Sequence, residues 1–394
     1  MRKFFEKIVA GLLTCSGFVT SITILLIVVF LFTEAFGLFK SKVIEDGYVL
    51  ALNKANPVNR LSPSEIKNIF DEEITNWKEV GGIDAPIKVF RLENITEYYS
   101  EEELGEAYEL AGDKIAELVQ HNPGMIAFIP SQFVKEGSNL HLIKDNNISF
   151  KDVIAGAEWF PTATPAPQFG FLPLITGTLW VSLFAILIAL PFGLSVSIYL
   201  SEVANTKTRN ILKPVIELLS GIPSVVYGFF GLIVIVPFIQ KTFDLPVGET
   251  GLAGSIVLAI MALPTIITVT EDAMRNCPRS MREASLALGA SQWQTIYKVV
   301  IPYSISGITS GVVLGIGRAI GETMAVLMVT GNAAVIPTTI LEPLRTIPAT
   351  IAAELGEAPA GGAHYQALFL LGVVLFIITL IINLSVEAIS AQKK

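Results

Sequence analysis

The run PRSMREASLALGASQWQTIYKVVIPYSISGITSGVVLGIGRAIGETMAVLMVTGN, Pro278–Asn332, decides how this chain is read. Its first half is polar and cationic, with Arg279, Arg282 and Lys298 set among small residues in a helical pattern. A turn is expected at Pro302, since proline has no N–H to give a helix interior. An apolar span follows that nonetheless carries an arginine and a glutamate, Arg318 and Glu322. A surface helix and a lipid-crossing segment with charge inside it are thus joined in one stretch.

The rest of the chain alternates in the same way. Of 394 residues, 52% are hydrophobic and 16% charged, and the mean hydropathy is +0.60, too apolar for a soluble globular protein. The excess lies in long runs: Ile8–Phe32, Phe171–Leu200, Ile211–Ile239, Gly251–Thr270, Tyr303–Thr330 and Tyr365–Ile389. Each is long enough to cross a bilayer as a helix, which predicts an α-helical polytopic membrane protein with six transmembrane helices. A cleaved leader is the rival reading of the first run. Its 25 residues and the lack of a following small-x-small site favour a retained spanning helix. Gly221-Ile222-Pro223 should bend or break the third run in its first half. Gln240–Thr250 and Gly331–His364 are rich in Gly and Pro and read as short irregular connections.

Basic residues orient the spans. Arg2, Lys3, Lys7, Lys207, Arg209, Lys213, Arg275, Arg279, Arg282, Lys298, Lys393 and Lys394 all fall on one side. The short loops of the other side hold only Lys241 and Arg345. The positive-inside rule then predicts cytoplasmic termini and an extracytoplasmic 33–168. That segment carries 22 Asp and Glu against 12 Lys and Arg, more than the chain's whole formal charge of −8. Helical stretches (Ser62–Phe70, Glu101–Gln120) and strand-like ones (Pro86–Phe90, Met125–Ile129) make it a small α/β insertion domain. PTATPAPQ, Pro161–Gln168, reads as an extended linker back to the membrane. Trp77 is expected in that domain's core. The expected division is 1–32, tail and first helix; 33–168, acidic domain and linker; and 169–394, five further helices with a polar helix over 278–300.

Arg318 lies sixteen residues beyond Pro302, roughly 24 Å along a helix, too deep for easy snorkelling to either surface. A charge there costs at least ~2.5–3.5 kcal/mol and usually faces a partner or a wet cavity. Two readings stay open. Arg318 and Glu322, four apart on one helical face, form an internal ion pair that fixes packing, or they line a path for an anion. Gly315, Gly317 and Gly321 suit either, by allowing close helix contact or by leaving space. His121, His141 and His364 are scattered, and Cys15 and Cys277 have no ligand spacing, so no metal or cofactor is expected. A formal charge of −8 would argue against nucleic acid, but it mostly reflects the one acidic segment and says little; no nucleic-acid partner is expected. No Gly-Lys phosphate loop is present, so ATP hydrolysis would need a separate motor.

Glu283-Ala284-Ser285, then Gly289, then Val299-Val300-Ile301-Pro302, reproduces the spacing EAA-x3-G-x9-I-x-L-P with conservative replacements. This resembles the "EAA" motif that binding-protein-dependent ABC importer permeases (MetI-like fold) seat in a groove of their ATPase. The resemblance implies an ATPase-coupling role for Glu283, Ala284, Gly289 and Pro302. Small residues would let another backbone approach, and Glu283 near a helix start suits the dipole. An amphipathic surface helix, with Arg279 and Arg282 facing lipid headgroups, is the alternative.

GRAIGETMAVLMVTGN, GIPSVVYGFFGL and LPLITGTLWVSLFAILIALPFGLSVSIYLSE together resemble the C-type permease subunit of the phosphate-specific ABC importer. The resemblance implies a place in the cell (plasma or inner) membrane, beside a homologous A-type permease, an ABC ATPase dimer and membrane lipids. It also implies an external phosphate-binding protein as donor and inorganic phosphate as substrate, with Arg318 and Glu322 on its path. A permease for molybdate or sulfate, and a phosphate-sensing receptor, are the rivals. Within the acidic segment, Leu61–Asn94 and Asn122–Val134 resemble parts of the phosphate-binding proteins themselves. The Ser-Gly-Thr expected after Arg91 is replaced by Leu92-Glu93-Asn94, so a truncated lobe for docking, gating or scaffolding is expected.

Overall fold

The computed structural model describes residues 2–44, 47–105, 108–135, 138–143 and 147–391. Lys393 and Lys394, and the side chains of Arg2 and Lys3, used above for orientation, lie outside the described residues. Two compact units emerge. One is Met1–Phe171 with Pro359–Ala367, and the other is Leu172–Ala358 with Leu368–Lys394.

The first unit begins with the helix Arg2–Gly37. A four-stranded sheet follows: β1 (Tyr48–Asn53), β2 (Lys88–Arg91), β3 (Met125–Pro130) and β4 (Leu140–Leu142), in the order β2-β3-β1-β4. β3 runs antiparallel to β1 and parallel to β2. Helices Pro63–Phe70 and Ala111–His121 bury apolar stripes. The first starts at Ser62, whose hydroxyl and Glu65 form a reciprocal capping box. The expected helix over Glu101–Gln120 is instead two pieces, because Gly105 adopts φ +84° and the chain resumes as a helix at Ala111. Trp77 is fully buried, with its indole N–H donating to Gly124 O at 2.9 Å.

Pro161–Gln168 is not a linker. It is the loop of a hairpin between β5 (Trp159–Phe160) and β6 (Gln168–Phe169). Gln168 is buried and donates to Pro63 O and Ala166 O. Spaced prolines such as Pro161, Pro165 and Pro167 fit a hairpin loop as well as an extended tether, and the buried amide decides for the hairpin. The unit also takes in the start of the last helix: Ser41 Oγ donates to Gln366 Oε1 at 3.0 Å, and Trp159 meets His364 edge-on.

Six helices among the described residues are long and apolar enough to cross a membrane: Val9–Lys40, Leu172–Val203, Ser224–Phe243, Gly251–Arg275, Gln292–Gly321 and Ala363–Ala388. The third expected run divides. Thr206–Ser220 is a separate amphipathic helix, and the span starts only at Ser224. Pro223 removes a backbone donor and disfavours helical backbone at Ile222, so Gly221–Pro223 ends one helix and starts another. No turn occurs at Pro302 either. The wide π-turn Ile296–Val300 precedes it and the helix runs on through Ile301–Gly321; a π-turn already skips the i→i−4 pattern that proline would break. The polar stretch expected as one helix over 278–300 has its own division. Arg279–Ala287 ends before Gly289, which takes φ +86°, and a new helix is capped by Ser291.

In the second unit, the fourth and fifth spans meet along Gly307, Gly311 and Gly315, one per turn. A Cβ on Gly311 would stand 2.9 Å from Thr270 Oγ1, and one on Gly315 2.7 Å from Ile266 Cγ1. Small residues thus set the spacing of these two helices. The connection after Asn332 is irregular but not loose. It supplies Ile340 O and Glu342 O to the first amides of the Gly251 helix, and it contains a helix, Ile347–Glu354, whose first half is buried, with an Arg345–Glu354 ion pair of 2.7 Å.

Two substitutions test these packings by thermal unfolding in detergent. Gly311→Leu should lower stability by about 1–3 kcal/mol through overpacking, and Trp77→Ala by ~3–5 kcal/mol. A transition unchanged in either variant would mean that the interface in question yields.

Candidate functional site

The site is built where the fifth span stops. Its helix ends at Gly321; Glu322 takes φ −75°, ψ 131°, and a short helix resumes over Met324–Val329. Arg318 and Glu322 therefore do not share a helical face, and no ion pair joins them among the described residues. The break turns Glu322 out of the helix, and its Oε1 accepts from Ala325 N at 3.4 Å, capping the next helix. Arg318 is half-buried, and its guanidinium donates to Thr265 Oγ1 of the fourth span at 3.5 Å, the limit of a hydrogen bond.

Of the three glycines singled out in the sequence, Gly315 packs against Ile266, whereas Gly317 and Gly321 face open space. Beside the break lies a cavity of about 530 Å³ lined by Gly321, Thr323, Pro348, Ile351, Ala352 and Leu355. The third span closes in from the other side. A Cβ on Gly228 would stand 3.0 Å from Ala325 Cα, so the two broken helices touch through backbone. The arrangement offers one cation, loosely held, next to open space and to backbone groups freed by the break.

The polar helix Arg279–Ala287 leaves Glu283, Ala284 and Ala287 exposed, and Leu288 beside Gly289 is 90% exposed. Arg282 points inward rather than to headgroups. It donates to Glu202 Oε1 at 2.7 Å and to Met274 O at 2.8 Å. Ser285 Oγ and Thr295 Oγ1 lie 2.9 Å apart, pinning this helix to the start of the fifth span. Nearby, burial pushes the Cys277 thiol up, with the Arg282 charge opposing.

Sequence reading missed the anchor of this end. Glu271, 1% exposed, receives Arg209 Nη2 at 2.8 Å and Lys213 Nζ at 2.6 Å. Burial lowers the Lys213 pKa, but the Asp272 and Glu271 carboxylates outweigh it and the net direction is up. The signal was available: Glu271-Asp272 adjoins the apolar run, but that run was closed at Thr270, one residue short. Pro302 is exposed early in the fifth span. In the first unit, Arg91 ends β2 and lays its guanidinium 5.0 Å from the Phe70 ring centroid, beside a cavity of about 620 Å³ with Tyr48, Glu93, Thr96 and Phe128 in its wall.

Comparison with known proteins follows this division. Residues 189–393, just over half of the chain, match the family described as binding-protein-dependent transport system inner membrane component. Residues 30–168 match a PBP superfamily domain. The probable ABC transporter permease protein YqgH of Bacillus subtilis is 41% identical over 249 residues, 63% of this chain and 80% of that protein. The phosphate transport system permease protein PstC of Mesorhizobium japonicum is 39% identical over 248 residues, 58% of this chain and 75% of that protein. A solved inward-facing structure of the MetNI methionine ABC transporter covers 56% of this chain and 96% of its own at 19% identity, with a TM-score of 0.44. On the family match and the extent of the YqgH alignment, the chain belongs to the inner membrane components of binding-protein-dependent transport systems.

Proposed function

We propose that the chain is a permease subunit of an ATP-driven importer of inorganic phosphate. The observation that carries this reading is Arg318: a half-buried guanidinium inside a spanning helix, with one long contact and no ion pair among the described residues. A permanent charge in that position needs an anion or a wet cavity. A guanidinium suits phosphate because its fork matches two oxygens at once. Open space at Gly317 and Gly321 gives the ion room, and a homologous A-type permease supplies the opposite wall. The relatives named for phosphate transport support phosphate over molybdate or sulfate.

Glu322 keeps the anion moving. Turned out of the helix at the break, its carboxylate adds a negative charge to the same stretch of the path, and passage needs binding weak enough to release. The exposed surface around Glu283, Ala284 and Gly289 seats in an ABC ATPase dimer, and nucleotide-driven closure reaches the spans through Arg282 and Ser285. Pro302 closes that motif inside the helix it leads into. Both termini are cytoplasmic and 33–168 is extracytoplasmic, where a phosphate-binding protein delivers substrate. The acidic domain serves docking, gating or scaffolding. With Arg91 stacked on Phe70, capture of phosphate by that lobe is not part of the reading.

In vesicles holding the assembled transporter, Arg318→Ala should reduce ATP-dependent accumulation of radiolabelled orthophosphate by about tenfold or more, ~1.4 kcal/mol or above at the barrier. Undiminished accumulation would leave Arg318 a packing residue. Excess sulfate or molybdate should not compete; competition would reassign the substrate. Leu288→Glu should leave membrane insertion intact and lower uptake by about tenfold or more, since a charge would enter an apolar seat; normal uptake would move the motor contact elsewhere.

A further inference from the structure

We infer that Glu271 is a positioning residue that carries motion of the Arg279–Ala287 helix to the entrance of the third span. This rests on the reading of the chain as a permease driven through that helix. The last turn of the fourth span is held from two directions. Met274 O accepts from Arg282 on the polar helix, and Arg282 also bonds Glu202. One turn earlier, Glu271 grips the Thr206–Ser220 helix. Its Oε1 accepts from Arg209 Nε at 2.9 Å, its Oε2 from Lys213 Nζ at 2.6 Å, and Arg275 stands 3.8 Å away. Lys213 reaches Asp272 as well, at 2.7 Å.

Little else holds that helix. None of its residues is buried, and Ile211 and Leu218 are 67% and 73% exposed. Leu212 and Ile216 are only half-buried, so among the described residues the carboxylate is that helix's main tether. Its far end reaches the third span, because Tyr227 Oη donates to Leu219 O at 2.8 Å across the Gly221–Pro223 break. Beyond Tyr227, Gly228 packs on Ala325, three residues past Glu322. A continuous set of contacts thus runs from Arg282 through Glu271 and Leu219 to the break beside Arg318. A buried ion cluster is a poor device for stability alone, since an apolar group of similar size often holds as well. It is directional, however, and its geometry changes when either helix turns.

The test compares Glu271→Gln and Glu271→Asp with wild type in vesicles holding the full transporter, measuring ATP hydrolysis and accumulation of radiolabelled orthophosphate together. Glu271→Gln should keep most of the hydrolysis while phosphate moved per ATP falls by about fivefold or more. Glu271→Asp should recover much of that ratio. An equal fall in both rates, or no change in either, would overturn the inference. Should Glu271→Gln fail to assemble, Arg209→Gln is read in the same way; failure of both variants to assemble also overturns it, since the cluster would then only hold the fold. Absence of accumulation by wild type would instead reject the function proposed above.

Discussion

A peptide group in hydrocarbon has no water to fall back on, so every break in a spanning helix must bring its own partners. One break inside a span, at Glu322-Thr323, and the turn Gly221–Pro223 that leads into another are where the chemistry of this chain gathers. At Gly221–Pro223, the Leu219 carbonyl accepts from Ile222 N and also receives the Tyr227 hydroxyl. At Glu322-Thr323, the glutamate caps the helix it precedes, and beyond that helix Asn332 returns its amide to Leu327 O. The two interrupted segments then pack on each other through Gly228 and Ala325, where a side chain larger than hydrogen would hold them apart. These bonds close the break at Glu322-Thr323 only in part, and the same irregularity leaves space beside Arg318.

Charge is treated in two opposite ways in the permease core. Glu271 is sealed and surrounded, with Arg209 and Lys213 within 3 Å of its oxygens. Arg318 is placed deeper along its span and, among the described residues, has one marginal hydrogen bond. Full satisfaction fits a joint between helices, since removing either partner strands a buried charge. Incomplete satisfaction fits a position that must exchange partners.

The sequence was most legible where hydropathy runs long. All six spans have counterparts among the described residues, and Met125–Ile129 and Ser62–Phe70 lie on elements of the acidic domain. It was less legible where one apolar run hides two helices, as at Ile211–Ile239, because hydropathy does not report a change of direction. β1 escaped because Leu50–Asn53 is buried on both faces and shows no alternation. The shared helical face expected of Arg318 and Glu322 presupposes an unbroken helix; the helix ends at Gly321, and nothing in a four-residue spacing warns of that. Glu271 was visible as a letter but not as a contact. Its partners sit some sixty positions earlier, and only the fold brings them together.

The compact unit around the acidic domain takes in two separated parts of the chain: the first helix with the segment up to Phe171, and Pro359–Ala367. A domain spliced into a loop is ordinarily moored at two points, by the strands that lead in and out. Here Gln366 adds a third mooring, at the opposite end of the polypeptide. A nick in the Pro161–Gln168 hairpin loop would therefore not set the domain adrift. The Ser41–Gln366 bond would persist after such a cut, so this unit tolerates a break in its own backbone.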